Sequence, residues 1–189
     1  MKTETTTMHT INIVSRWDSS RVLFTFQATD EQQASGLALR HALEAATVAH
    51  ANLRDAYLSG AYLSGADLSG AYLSGANLRD FKADFFDVLL RAPREVPALR
   101  AALVEGRVNG STYEGECACL VGTIANARGV GYDVLGNGIK PDSGRPAEQW
   151  FMSIRKGDTP ETNQCSALAV EWLDEFVGLL GSATASVQP

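Results

Sequence analysis

The side chains able to do chemistry are few and scattered. Two cysteines lie close together in Glu116-Cys117-Ala118-Cys119, and Cys165 stands far along the chain. Three thiolates and a fourth ligand would suffice for zinc. The C-x-C spacing is not the usual C-x₂-C, however, and no histidine lies near enough in sequence to complete a set. On a helix, residues two apart stand about 200° around the axis and cannot share a metal easily. The three cysteines therefore read as buried structural residues. A catalytic cysteine would need a base beside it, and the sequence offers none. His9, His41 and His50 fall in no nucleophile or metal signature, and there is no P-loop, dinucleotide fingerprint or HExxH. No cofactor and no metal is expected. Gly129-x-Gly131 and Gly136-x-Gly138 are loop glycines in a glycine-rich stretch, residues 129–144. An enzyme or small-ligand site there stays open as an alternative, because missing motifs do not exclude an unfamiliar one.

Binding is the better-supported class. The 189-residue chain is 45% hydrophobic and 20% charged, which is globular rather than disordered. Its net charge of −6 argues against general affinity for phosphate backbones, so no direct nucleic-acid partner is expected. No run approaches the roughly 18 apolar residues that span a bilayer. The polar, Thr-rich N-terminus does not read as a signal segment. Three cysteines make a poor disulfide framework, and a cytoplasmic location is expected. From Glu161 onward the chain carries Glu161, Glu171, Asp174 and Glu175 and no Lys or Arg. Glu171, Asp174 and Glu175 would form an acidic helix face, open to a basic partner or simply solvated.

The elements that must position these groups are organised around a repeat. From Ala51 to Asp80 the chain reads ANLRD, AYLSG, AYLSG, ADLSG, AYLSG, ANLRD, six A-x-L-x-x units without a gap. A helix would turn each Leu some 140° from the last. A strand would send alternate Leu residues to opposite faces, because five is odd. Only a chain that turns a corner once per unit aims every Leu and every Ala at a common axis. In this the segment resembles the pentapeptide-repeat family, in particular small members encoded by bacteria and their phages. The resemblance implies a right-handed, four-sided β-helix, with Leu53, Leu58, Leu63, Leu68, Leu73 and Leu78 inside and Ala51, Ala56, Ala61, Ala66, Ala71 and Ala76 beneath them. Tyr57, Tyr62, Asp67 and Tyr72 would then point outward and form a binding face. Fewer than two coils make a tube about 10 Å tall, at roughly 4.8 Å per coil. So short a solenoid needs both ends covered.

The flanks supply covers. Residues 11–17 and 21–26 read as strands of a hairpin around the polar turn Asp18-Ser19-Ser20, followed by a helix over 31–48. Residues 81–85 read as a degraded terminal coil. Helices are expected over 93–105, 116–127, 146–156 and 162–180, the last with an apolar stripe of Leu168, Trp172 and Phe176. Trp150, Phe151 and Trp172 read as core. The expected class is α+β: an N-terminal hairpin and helix cap (1–50), a short β-helix (51–85) and a C-terminal α-helical domain (86–189).

The function expected is non-catalytic: a macromolecular interaction protein, an inhibitor or adaptor that binds another protein, with a homodimer as a fair expectation. One alternative is a DNA mimic that inhibits a type II topoisomerase, as some pentapeptide-repeat proteins are. The repeats depart from that pattern. They are too few to imitate a duplex, and Arg54 and Arg79 nearly balance Asp55, Asp67 and Asp80.

Overall fold

The computed structural model describes residues 7–58, 61, 68, 73, 76 and 78–185. Alternating apolar and polar residues form the expected hairpin, β1 (Met8–Val14) and β2 (Val22–Thr29). The strands are antiparallel, with Ile11 opposite Phe26 and Ile13 opposite Phe24. Asn12 and Thr25 lie opposite each other, and the Thr25 hydroxyl donates to Asn12 Oδ1 at 3.0 Å. The turn closes as its residue types suggest. Asp18 Oδ1 accepts from the Ser20 N–H at 2.9 Å, and the Asp18 carbonyl accepts from the Arg21 N–H at 3.0 Å.

The helix expected over 31–48 is two helices, α1 (Asp30–Ala34) and α2 (Ala38–Val48). The break falls at Gly36, whose φ of 74° lies in the left-handed region, and the Ser35 hydroxyl accepts from the Leu37 N–H just past it. Thr29 and Gln32 form a reciprocal capping box at the start of α1. Both helices pack on the hairpin, with Ala42, Leu43 and Ala46 buried.

The chain passes from α2 into the repeats through His50, at φ 51°, while the Ala51 N–H donates back to the Ala46 carbonyl at 2.8 Å. In the repeats, Leu53, Leu58, Leu68 and Leu73 are 0% exposed, and Ala56, Ala61 and Leu78 are buried. Each described corner is closed from Leu to the Ala three residues on. The carbonyls of Leu53, Leu58 and Leu73 accept from the N–H groups of Ala56, Ala61 and Ala76 at 3.0, 3.1 and 3.0 Å. Asp55 sits at φ 61° in the first corner, and the same repeat position is Gly in the four units ending in Ser-Gly. Leu63, Ala66 and Ala71 lie outside the described residues. The hairpin joins the first two repeats edge to edge. Ser15 bridges Ala56, the Arg16 N–H donates to the Asp55 carbonyl at 2.7 Å, and the Tyr57 N–H donates to the Val14 carbonyl at 2.9 Å.

The expected terminal coil at 81–85 is instead the first turns of α3 (Arg79–Arg91), which begins inside the sixth unit. Phe81 stands where the repeat has Ala, and its ring packs against Trp150. Phe81, Phe85 and Val88 at helical spacing favour one buried stripe. There follow α4 (Val96–Val104), α5 (Leu120–Arg128), a 3₁₀ turn (Tyr132–Val134), α6 (Pro146–Phe151) and α7 (Gln164–Ala185). The helix expected from Glu116 starts only at Leu120, because residues 116–117 form a bend and Ala118 is drawn into a bridge. Ala118 pairs with Val108, and the Cys119 N–H donates to the Thr112 carbonyl at 2.7 Å. The helix expected over 146–156 stops at Phe151, where the chain turns so that the Ile154 carbonyl can accept from the Gly110 N–H at 2.8 Å.

One continuous hydrophobic core joins Ile13, the repeat leucines and the helices as far as Phe176. Its centre is aromatic, as read from sequence. Ring centroids are 5.0 Å apart for Trp150 and Trp172, 5.3 Å for Phe85 and Phe151, and 5.6 Å for Phe81 and Trp150. Arg145 ties α6 to α3: its guanidinium reaches Asp84 at 2.9 Å and Asp87 at 2.7 Å, while Asp84 also accepts from the Ala147 N–H at the start of α6. Among the described residues, no helix is long and apolar enough to cross a membrane.

Candidate functional site

The hairpin and the first repeat together present an outward aromatic face. Val22 lies opposite Val14, and Tyr57 is hydrogen-bonded to Val14 from the other side, so the three form one row across adjacent strands. Ser15 and Ala56, one step along, are buried and face the core. Alternation turns Val14 and Tyr57 outward, and Val22, past a shift in the hairpin register, joins them by its exposure. Tyr57 is 51% exposed and Val22 44%. At the hairpin tip Trp17 is 74% exposed, with the Arg16 guanidinium 4.5 Å from its ring centroid. Tyr57 was legible in the sequence as an outward repeat residue. Trp17 was read as strand, although a Trp running into the polar turn Asp18-Ser19-Ser20 was a usable signal. Tyr62, Asp67 and Tyr72 lie outside the described residues.

The acidic face of α7 meets the chain's own cations. Asp174 takes a bidentate pair from Arg100 of α4, at 2.7 and 3.0 Å, and this holds its carboxyl below the ordinary range. Glu175 pairs with Lys82 of α3. Glu171 lines a cleft of about 400 Å³ between the hairpin tip, the last repeats, α3 and α7. Leu73, Leu168 and Trp172 line it with Arg16, Arg79 and Lys82.

A second cavity, of about 300 Å³, lies where the glycine-rich stretch meets α5. Tyr113 and Tyr132 stand side by side in its wall, centroids 5.5 Å apart. Behind them is Glu148, 1% exposed, whose Oε2 accepts from the Tyr113 hydroxyl at 2.6 Å and whose Oε1 accepts from the Asp142 N–H at 2.9 Å. Burial pushes the Glu148 carboxyl above its ordinary range, and these two donors partly offset it. Burial likewise raises the Tyr113 phenol, with the Glu148 charge adding to it. Sequence reasoning missed Glu148, which has no local signature. Its partner Tyr113 is 35 residues away.

The cysteines are packing residues in this arrangement. Cys119 and Cys165 are buried and Cys117 is half-buried, all three as free thiols. Burial pushes the Cys119 thiol up to about 11, so it is protonated at neutral pH. Among the described residues, no group of three or more His, Cys, Asp or Glu is placed to hold a metal ion. His9 Nε2 lies 2.7 Å from Asp30 Oδ1 on the surface of the hairpin, and His41 lies beside Glu44 on α2.

The family model for pentapeptide repeats matches residues 43–80 in eight copies. It takes in all six A-x-L-x-x units and reaches back into α2, where residues 43–48 are helical. The segment is a pentapeptide-repeat, β-helix-like region within a mixed α and β chain. No curated protein and no solved structure matches the chain.

Proposed function

We propose that the chain is a non-catalytic interaction protein that binds another protein through the outward face of the hairpin and first repeat, as an inhibitor or adaptor. The observation that carries this reading is the exposure of Trp17 and Tyr57 beside Val22 and Arg16 on a braced scaffold. Trp, Tyr and Arg dominate the energetics of protein interfaces. Here the Tyr57 main chain is bonded to Val14, and Leu58 anchors the next position in the core, so little backbone order would be lost on binding. In this reading the repeats form a right-handed four-sided β-helix. The hairpin with α1 and α2 covers one end, and α3 covers the other.

The test is affinity capture of the full chain and a Trp17→Ser/Tyr57→Ser variant from nuclease-treated lysate, read by mass spectrometry. A stoichiometric protein held by the parent chain and lost by the variant, at unchanged unfolding temperature, is the expected result. Equal capture by both would move the binding surface away from this face.

A further inference from the structure

We infer that the cavity between the 113–115 segment, α5 and the 3₁₀ turn is a receptor for a single organic cation, a guanidinium or alkylammonium group. The wall carries two tyrosines side by side and the carboxylates of Glu114 and Asp133, and none of its lining residues is Lys or Arg. No ion pair among the described residues compensates the two wall carboxylates, Glu114 and Asp133. The carboxylates that brace the helices are matched by cations: Asp84 and Asp87 by Arg145, Glu95 by Arg128, Asp174 by Arg100 and Glu175 by Lys82. Glu148 lies just behind the wall, its charge offset only in part by Arg145. A cation that enters meets two aromatic rings and two open carboxylates, the combination that holds ammonium and guanidinium groups.

The wall is built before any ligand arrives. The Tyr113 hydroxyl is fixed on Glu148 at 2.6 Å, and Asn126 Nδ2 donates to the Gly115 carbonyl at 2.8 Å, pinning the loop that carries Glu114. Gly122 lets α5 approach this loop. A Cβ there would stand 2.3 Å from the Tyr113 carbonyl oxygen. About 300 Å³ is the lower end of the ligand-pocket range, which suits one side-chain-sized group rather than a large cofactor. This site is separate from the hairpin face, and its ligand can be a free small cation or a basic side chain of a polypeptide.

The probes are Nα-acetylarginine amide, its neutral isostere Nα-acetylcitrulline amide, and the peptide Gly-Gly-Arg-Gly-Gly, each titrated into the full chain by NMR or calorimetry at low salt. The arginine amide should bind and the citrulline amide should bind roughly tenfold more weakly or not at all. Glu114→Gln/Asp133→Asn should weaken arginine binding about tenfold without moving the unfolding temperature, because both side chains are at the surface. Tyr132→Phe should keep binding, and Tyr132→Leu should lose it. The peptide binding much more tightly than the amide identifies a polypeptide source, and equal affinities identify a free cation. Either of those results supports the site. Equal binding of the arginine and citrulline amides, or an unchanged affinity in the double carboxylate variant, overturns it.

Discussion

The register of the repeat can be tested at two neighbouring residues on opposite faces of the repeat segment. Leu58 is 0% exposed, while Tyr57 is 51% exposed and outside. Leu58→Ala deletes three buried carbons from the shared core, whose close packing can relax little into the gap. Deletions of this kind cost about 2–5 kcal/mol, and a stiff site places this one at about 3–4 kcal/mol. For a chain of this length that lowers the unfolding temperature by roughly 6–16 °C. Tyr57→Lys keeps a long apolar stem against the surface and puts its charge in water, so it should cost within about 1 kcal/mol. The assay is urea denaturation followed by tryptophan fluorescence, since the buried Trp150 and Trp172 report on the shared core. Equal m-values would license the comparison. A slip of one residue would exchange the two faces. Leu58→Ala costing less than Tyr57→Lys would therefore refute the register.

Three further outcomes are expected. Gly110→Ala should destabilise by about 3 kcal/mol in the same denaturation assay, because its Cβ would stand 2.0 Å from the Phe151 carbonyl oxygen and 2.4 Å from the Met152 Cα, backbone that no rotamer change can clear. Asp55→Val should cost about 1–2 kcal/mol, because a β-branched residue is strained at φ 61°, whereas Asp55→Gly should change stability by about 0.5 kcal/mol or less. Glu148→Gln should change the pH dependence of stability. The folded chain holds a proton on Glu148 at pH values where the unfolded chain has released it, so parent stability falls as pH rises from the ordinary carboxylate value to the raised one. The advantage of Glu148→Gln over the parent should therefore be smallest at low pH, grow through that window and then level off, as read by denaturation at stepped pH. An advantage that shrinks with rising pH would contradict the raised carboxyl.

Local, periodic features were legible in the sequence. The five-residue period alone required Leu53, Leu58, Leu68 and Leu73 to share an interior, and all four are fully buried. Alternation and a polar turn gave the hairpin, and the clustered aromatics Trp150, Phe151 and Trp172 gave the core of the helical part. These patterns carry their own geometry, because each residue's environment is set by neighbours a few positions away.

Tertiary structure decided the rest, through contacts between residues far apart in sequence. Residues 116–118 are helix-compatible, yet the bridge from Ala118 to Val108 keeps Cys117 out of α5 and leaves Cys119 as its cap. The acidic stripe of α7 is met by Arg100, 74 residues away from Asp174, and by Lys82, 93 residues away from Glu175. Glu148 is one carboxylate among many in the sequence. It becomes a buried one only when α6 docks and Tyr113 closes over it. A period tells the chain which way a side chain must face, but only the completed packing fixes which charge meets which partner and which stays without one.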